Sequence, residues 1–409
     1  MKCGEKLSAS VSIFLLLACG GLVPIAISQD SPSATTRAEA PPPNAYAGDS
    51  ACAQCHRKES EFYPTTPHAL DSGPATAKFI VGSFSPGQNV MHTSNPNLVV
   101  NMIAAPDGFY QNAVNLADPR NHLSERFDIV IGSGRHGQTY LYWDDDELYE
   151  LPASYWTWSH EWVVSPGLPA GQIHFERAVP PRCLECHASY FTSLAPPLNR
   201  YAKDSVVLGI NCERCHGPGS AHVALERAGT HAARESSRDT AIVNPTHLSR
   251  ERQLDLCALC HAGAVEPIGG PMRFVVGDNI RDYLKIQAAA PGTMVDVHGN
   301  QVGALEQSKC FSSGTMTCST CHNVHEKQEN ADSFSRHCLT CHEVSACGRY
   351  KALGAAIRKR CVDCHMPMRQ SAKVTSAVGG QKLNPVLRAH QITIYREESE
   401  EVELSMAGK

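Results

Sequence analysis

Hydrophobic and polar positions divide the chain into stretches of different period. An apolar run from Val11 to Ser28 follows Lys2 and Lys6 and is broken by Gly20, Gly21 and Pro24. That interrupted pattern predicts a cleaved export signal over 1–28 rather than a membrane span. Cleavage before Gln29 competes with a lipobox-like Leu16-Leu17-Ala18-Cys19, which would leave Cys19 as a lipidated N-terminus and the only attachment to a membrane. Residues 29–49, rich in Pro, Ala and Ser, read as a linker.

Helical period returns in "LSRERQLDLCALCHAG", with Ser249 as N-cap, Glu251 in the first turn and Gly263 beyond the end. A second short helix is predicted in "SAHVALERAG", ending near Gly229. Between them and the N-terminus the period changes. "FDIVIGSGRHGQTYLYWDDDELYELPASYW" holds two β-rich runs separated by Gly132 to Gly137, then a hairpin turning at Asp144 to Asp146. These runs predict a small antiparallel β insert over roughly 76–182. Its aromatic cluster, Tyr155, Trp156, Trp158 and Trp162, reads as packing before it reads as a site.

Cysteine spacing changes the picture. Seven Cys-x-x-Cys-His motifs occur: Cys52-Cys55-His56, Cys183-Cys186-His187, Cys212-Cys215-His216, Cys257-Cys260-His261, Cys318-Cys321-His322, Cys338-Cys341-His342 and Cys361-Cys364-His365. Each is the attachment pattern of a c-type haem, two thioether bonds to the porphyrin and an adjacent His on the iron. Zinc ribbons also use paired cysteines but give no reason for His at the fifth position every time. The expected cofactor is therefore seven covalently bound haem c, with the cysteines as anchors and the seven His as proximal iron ligands.

Six motifs fall between Cys183 and His365, too dense for each haem to have its own all-protein core. The expected fold is a multihaem cytochrome c of mainly short α-helices and loops wrapped around a haem stack, carrying the small antiparallel β insert. The implied divisions are a first haem segment at 50–75, the β insert at 76–182, a six-haem domain at 183–370 and a tail at 371–409. That tail bears a distal-ligand candidate and the acidic end "REESEEVELS", which reads as solvated.

Thirteen His lie outside the motifs, enough to fill every sixth iron position, so bis-His ligation is expected. His325 follows its motif by three residues and His222 by six, so each sits beside one haem and is placed to ligate a neighbour. His68 and His390 stand in stretches without other evident purpose. His136, His174, His247 and His298 form a second tier. Cys310 and Cys347 bracket the fifth and sixth motifs, and a disulfide between them is the simplest expectation for an oxidising compartment.

The formal charge of −5 and the absence of a basic run point away from nucleic acid. Haem propionates add negative charge, which suits redox partner proteins, an electron donor and an acceptor, with basic rims. The preferred reading is an exported carrier of single electrons in the periplasm or at the cell surface. Its rival is a multihaem oxidoreductase of a small nitrogen or sulfur compound with one open haem, near Arg135, His136, Tyr155, His160 and Glu161.

The segments "DSACAQCHRKESEFYPTTPHA" and "GINCERCHGPGSAHV" resemble the superfamily of the tetrahaem cytochrome that partners hydroxylamine oxidoreductase. The series "IVIGSGRHGQTYL", "RCLECH", "IVNPTHL", "CSTCHNVH", "RHCLTCH", "CVDCHMP" and "AHQI" is similar to exported bacterial multihaem proteins often fused to tetratricopeptide repeats. The resemblance implies that His222 and His68 ligate haems held by other motifs. The chain departs from that group in ending soon after His390 without repeats, and from pentahaem nitrite reductases in having no motif with Lys in place of His.

Overall fold

A computed structural model describes residues 45–229, 241–290 and 293–408. The export signal expected at 1–28 and the linker up to residue 44 lie outside the described residues. None of the described helices is long and apolar enough to cross a membrane.

The period-2 stretches fold into two antiparallel sheets. One contains β1 (Ser72–Pro74), β6 (Ile129–Ile131), β7 (Gly137–Asp144), β8 (Glu147–Glu150) and β11 (Arg177–Ala178) in the order β1-β6-β7-β8-β11, with β9 (Ala153–Trp156) on β7 and β10 (Glu161–Val164) on β9. The other is a meander of β2 (Val90–His92), β3 (Leu98–Ala105), β4 (Gly108–Asn115) and β5 (His122–Arg126). Asp144 pairs with Glu147 across the β7–β8 turn, where Asp145 takes a positive φ of 45°.

Together the sheets enclose an aromatic core. Trp162, 2% exposed, packs against Phe84, Phe127, Tyr140 and Tyr155 at ring-centre distances of 5.2–6.2 Å. Its indole nitrogen donates to the Ser83 carbonyl at 2.8 Å. Trp162→Ala is expected to cost about 3–5 kcal/mol, because it opens a cavity and strands that carbonyl; a denaturant melt of the holoprotein followed by tyrosine and tryptophan signals checks it.

This architecture corrects the expectation of a mainly helical wrap with a small insert. Strands are as much a part of the fold as helices, and β1 to β11 build a sheet system with its own core. Further two-stranded pairs join 188–190 to 207–208, 265–267 to 284–286, 368–370 to 386–388 and 376–378 to 381–383. The physical reason lies in alternation: Met91, Val100, Met102, Phe127, Val130 and Tyr140 all point inward, which gives the segment enough apolar surface to fold around itself.

The tail is also ordered. Arg396–Met406 is a helix that buries Ser399 and Val402, packs on the Cys361–His365 helix, and pairs Glu398 with Arg369 at 2.6 Å and Glu403 with Arg349 at 2.9 Å. Its charges alone suggested a solvated end; Val402 and the two arginines bring it down onto the protein.

Candidate haem-binding sites

All seven motifs close one helical turn. Four of the seven proximal His end a regular helix: Pro181–His187, Cys212–His216, Arg250–His261 and Cys361–His365. In the other three the His amide donates to the carbonyl of the first Cys, at 2.9 Å for His56, 3.0 Å for His322 and 3.0 Å for His342. The turn brings both thiols and the imidazole to one face, as porphyrin attachment requires. Ser249 caps the Arg250–His261 helix by accepting from the Arg252 amide at 3.3 Å.

The imidazoles then pair across large sequence separations. His56 faces His222 with ring centres 6.4 Å apart, His261 faces His68 at 6.2 Å, His216 faces His325 at 6.1 Å, and His322 faces His390 at 6.3 Å. Those gaps are too wide for face-to-face ring stacking. A metal–imidazole bond of ~2 Å on each side, plus about 1.1 Å from each nitrogen to its ring centre, places two trans imidazoles about 6.2 Å apart. Four pairs therefore stand at the spacing of an iron atom. The planes are near parallel in three, at 33°, 25° and 21°, and near perpendicular in His68–His261, at 84°.

Local chemistry holds these rings ready. Burial pushes the His68, His216 and His390 imidazoles below their usual range, and burial with His390 close by drives His322 down to about 4. A ligating imidazole has to be neutral, so this is the favourable direction. Outer nitrogens are tethered too: His216 Nδ1 to the Val243 carbonyl at 2.9 Å, His365 Nδ1 to the Thr393 carbonyl at 2.8 Å, and His261 Nδ1 to Gln301 at 3.0 Å. Such contacts fix the ring plane and the tautomer.

His222 is presented by a built turn. Gly217 has φ 79°, a conformation that favours glycine, and its amide donates to the Glu213 carbonyl at 3.0 Å. The buried Glu213 carboxylate accepts from the amides of Gly219 at 2.7 Å, Ala47 at 2.7 Å and Gly48 at 2.8 Å. One side chain thus ties the turn before His222 to the segment leading into Cys52. Sequence reasoning passed over Glu213, since an acid inside the motif carries no spacing signal.

Of the second tier, His174 is held at both ring nitrogens, by Glu176 at 2.8 Å and Gln172 at 2.8 Å, so it faces no proximal His. His247 is exposed at the end of a short turn. His136 and His298 lie within electrostatic reach of each other, and His298 within reach of His187. Tyr155 is buried in the sheet core, while His160 and Glu161 are exposed on the β9–β10 hairpin. Cys310 and Cys347 are free thiols in different surroundings, Cys310 beside Cys321 and Cys338, Cys347 beside Cys364, so the structure does not join them.

Motif thiols also lie near one another across sites. Cys52 and Cys212, Cys186 and Cys260, Cys257 and Cys318, and Cys338 and Cys361 are close enough to influence each other's ionisation. Cys215 and Cys257, and Cys321 and Cys338, lie within electrostatic reach of each other. Numbering the motifs 1 to 7 along the chain, these thiol neighbours run 1–3–4–5–6–7, with site 2 beside site 4 and joined to site 3 through Arg214, which donates to the Glu185 carbonyl at 2.6 Å.

The protein core around the later sites is thin. From Ser312 to His365, all of it described, the buried hydrophobic side chains are Ile357, Val362 and Cys364. So few cannot repay the entropy of ordering such a stretch, and a large apolar cofactor would supply the burial the side chains do not. The residues present fit haem in ligand spacing, anchor geometry and missing core alike.

Comparison with known proteins agrees with this chemistry. The fold is similar to that of the outer cell wall cytochrome OcwA, with a TM-score of 0.51 over 88% of this chain and 82% of that one at 15% identity. The family described as "Cytochrome c554 and c-prime" matches residues 170–217, which carry motifs 2 and 3. An undecahaem cytochrome from the S-layer of Carboxydothermus ferrireducens overlaps more loosely, with a TM-score of 0.39, 16% identity, and 80% and 52% of the two chains covered. No curated protein matches the chain.

Proposed function

We propose that this protein is an exported seven-haem c-type cytochrome that passes single electrons along its haem array to and from redox partner proteins. The observation that carries this reading is the set of four His–His pairs at 6.1–6.4 Å, each joining a motif His to one from elsewhere in the chain. When bound, the haem irons supply the one-electron chemistry. The chain's own residues set everything else.

Cysteines at i and i+3 would anchor each porphyrin and His at i+4 would hold its iron, with His222, His68, His325 and His390 as the second His at sites 1, 4, 3 and 5. Bis-His ligation keeps these sites at low potential and changes little between oxidation states, which suits transfer rather than catalysis. The nearness of thiols from different motifs would bring porphyrin edges close, which supports a route through sites 1–3–4–5–6–7. Cytochrome OcwA belongs to an outer cell wall, and both covalent haem and the leader-like N-terminus favour a place outside the cytoplasm.

Intact mass and haem content of the purified holoprotein test the reading. Seven haems per chain, fully reducible by dithionite, are expected. A smaller number, or a chain that binds zinc in place of haem, would contradict it.

A further inference from the structure

We propose that the two residues between the cysteines of motif 3, Glu213 and Arg214, set a step in reduction potential that draws electrons from site 1 toward the junction of sites 2 and 4. The step rests on the electron-transfer reading of those sites.

The two side chains share one helical turn and leave it in opposite directions. Glu213 is 7% exposed, and its carboxylate reaches the amides of Gly219, Ala47 and Gly48, on the segment that leads into Cys52. Asp49 adds a second carboxylate on that side, accepting from the Cys212 amide at 3.2 Å. Arg214 is 8% exposed and turns into motif 2, where its Nη2 donates to the Glu185 carbonyl at 2.6 Å.

That carbonyl marks the meeting of three motifs. It belongs to the residue before Cys186, and the Cys260 sulfur of motif 4 lies 4.0 Å from it. The contact is reciprocal: the Cys186 sulfur lies 3.9 Å from the carbonyl of Leu259, the residue before Cys260. Arg182 clamps the two motifs by donating to the Leu259 carbonyl at 2.5 Å and to the Glu185 carboxylate at 3.3 Å. The other Glu185 oxygen accepts from the Met272 amide at 2.9 Å. Anchoring sulfurs of sites 2 and 4 are thus held along one seam, and Arg214 binds an oxygen of that seam.

Charges at this seam do not cancel. Arg214 makes no ion pair among the described residues, and its buried Nε has no hydrogen-bond partner. The carboxylate of the junction, Glu185, is taken by Arg182. Two guanidiniums therefore stand against one carboxylate beside sites 2 and 4, while Glu213 and Asp49 stand on the side of site 1. Arg57, Lys58 and Arg227, the cations nearest in sequence to motif 1 and the His222 helix, are exposed, and water and salt screen them.

A buried cation stabilises whichever form of a nearby centre holds one more electron, and a buried carboxylate does the reverse. Potential is accordingly lowered at site 1 and raised at sites 2 and 4, so transfer from site 1 through site 3 runs downhill toward the junction. A neutral side chain could make the same hydrogen bond to Glu185 without burying an unpaired charge, so the charge itself carries the role.

An EPR-monitored redox titration of the full-length holoprotein tests this, each low-spin signal vanishing as its iron is reduced. The near-perpendicular pair of His68 and His261 marks site 4 by a large-g signal, and the rhombic signal missing from His222→Ala marks site 1. In the wild-type protein the site 4 signal is expected to vanish at a higher potential than the site 1 signal. Arg214→Gln should make site 4 at least tenfold harder to reduce, a fall of ~59 mV for a one-electron couple, with haem count and low-spin signals unchanged. Arg214→Lys, which keeps the charge, should retain the wild-type value. Should Arg214→Gln fail to fold, the order of the two wild-type potentials still decides. A site 1 potential at or above that of site 4, an unmoved site 4 potential in Arg214→Gln, or an equal fall in Arg214→Lys would overturn the proposal with the seven-haem reading intact. Fewer than seven haems per chain would overturn that reading itself.

Discussion

Cys338→Ala combined with Cys341→Ala is expected to leave the stretch from Ser312 to His365 unfolded while β1 to β11 stay folded. The stretch buries Ile357, Val362 and Cys364 as its hydrophobic core and otherwise consists of short helices and turns. A porphyrin that buries on the order of 400 Å² contributes about 10 kcal/mol at ~25 cal/mol per Å², comparable with the whole stability of a typical domain. Neither cysteine can be compensated by protein packing, because no packing is there to take over. The sheet system is different: Trp162, Tyr140, Phe127 and Met91 form a core that needs no haem. Limited proteolysis followed by mass spectrometry reads the difference. Rapid cleavage confined to 312–365 is expected, and a protease-resistant stretch in the double variant would refute the haem-as-core argument.

His222→Ala is expected to convert site 1 from low to high spin with all seven haems still attached. The covalent anchors Cys52 and Cys55 and the proximal His56 are untouched, so only the sixth iron position empties. Glu213 still holds the Gly217–Gly219 turn, since its bonds run to the Gly219, Ala47 and Gly48 amides rather than to the missing imidazole. Added imidazole should restore the low-spin spectrum. Loss of the haem on Cys212 and Cys215 instead would mean that His222 serves its own motif, against the 6.4 Å pairing with His56.

What the sequence made legible follows from how local each signal is. The seven motifs are local, so their helical turns could be read directly. Candidate distal ligands were legible as residue types near motifs, yet their partners were not: His68 meets His261 and His390 meets His322 only because the chain folds back over long separations. Asp71 escaped notice for the same reason, since nothing near it in sequence shows that it bonds His187. The fold class was misread where two local signals competed. Motif density suggested that haem does all the packing, while the alternation through 90–164 was strong enough to build sheets with their own core. In the tail, charge outweighed the single apolar Val402 in the sequence, but burial of that side chain and pairing of Glu398 with Arg369 decide the outcome.

The central claim is that four His–His pairs are axial pairs on iron, and low-temperature EPR of the ferric holoprotein tests it most directly. Near-parallel imidazole planes split the two iron dπ orbitals and give ordinary rhombic low-spin signals. Perpendicular planes leave those orbitals nearly degenerate and give a highly anisotropic low-spin signal with a large maximal g value. The angles of 33°, 25° and 21° therefore predict rhombic signals from sites 1, 3 and 5, and the 84° angle of His68–His261 predicts one large-g signal from site 4. His68→Ala should abolish that large-g signal alone. High-spin iron at these four sites, or a large-g signal that survives His68→Ala, would contradict the account.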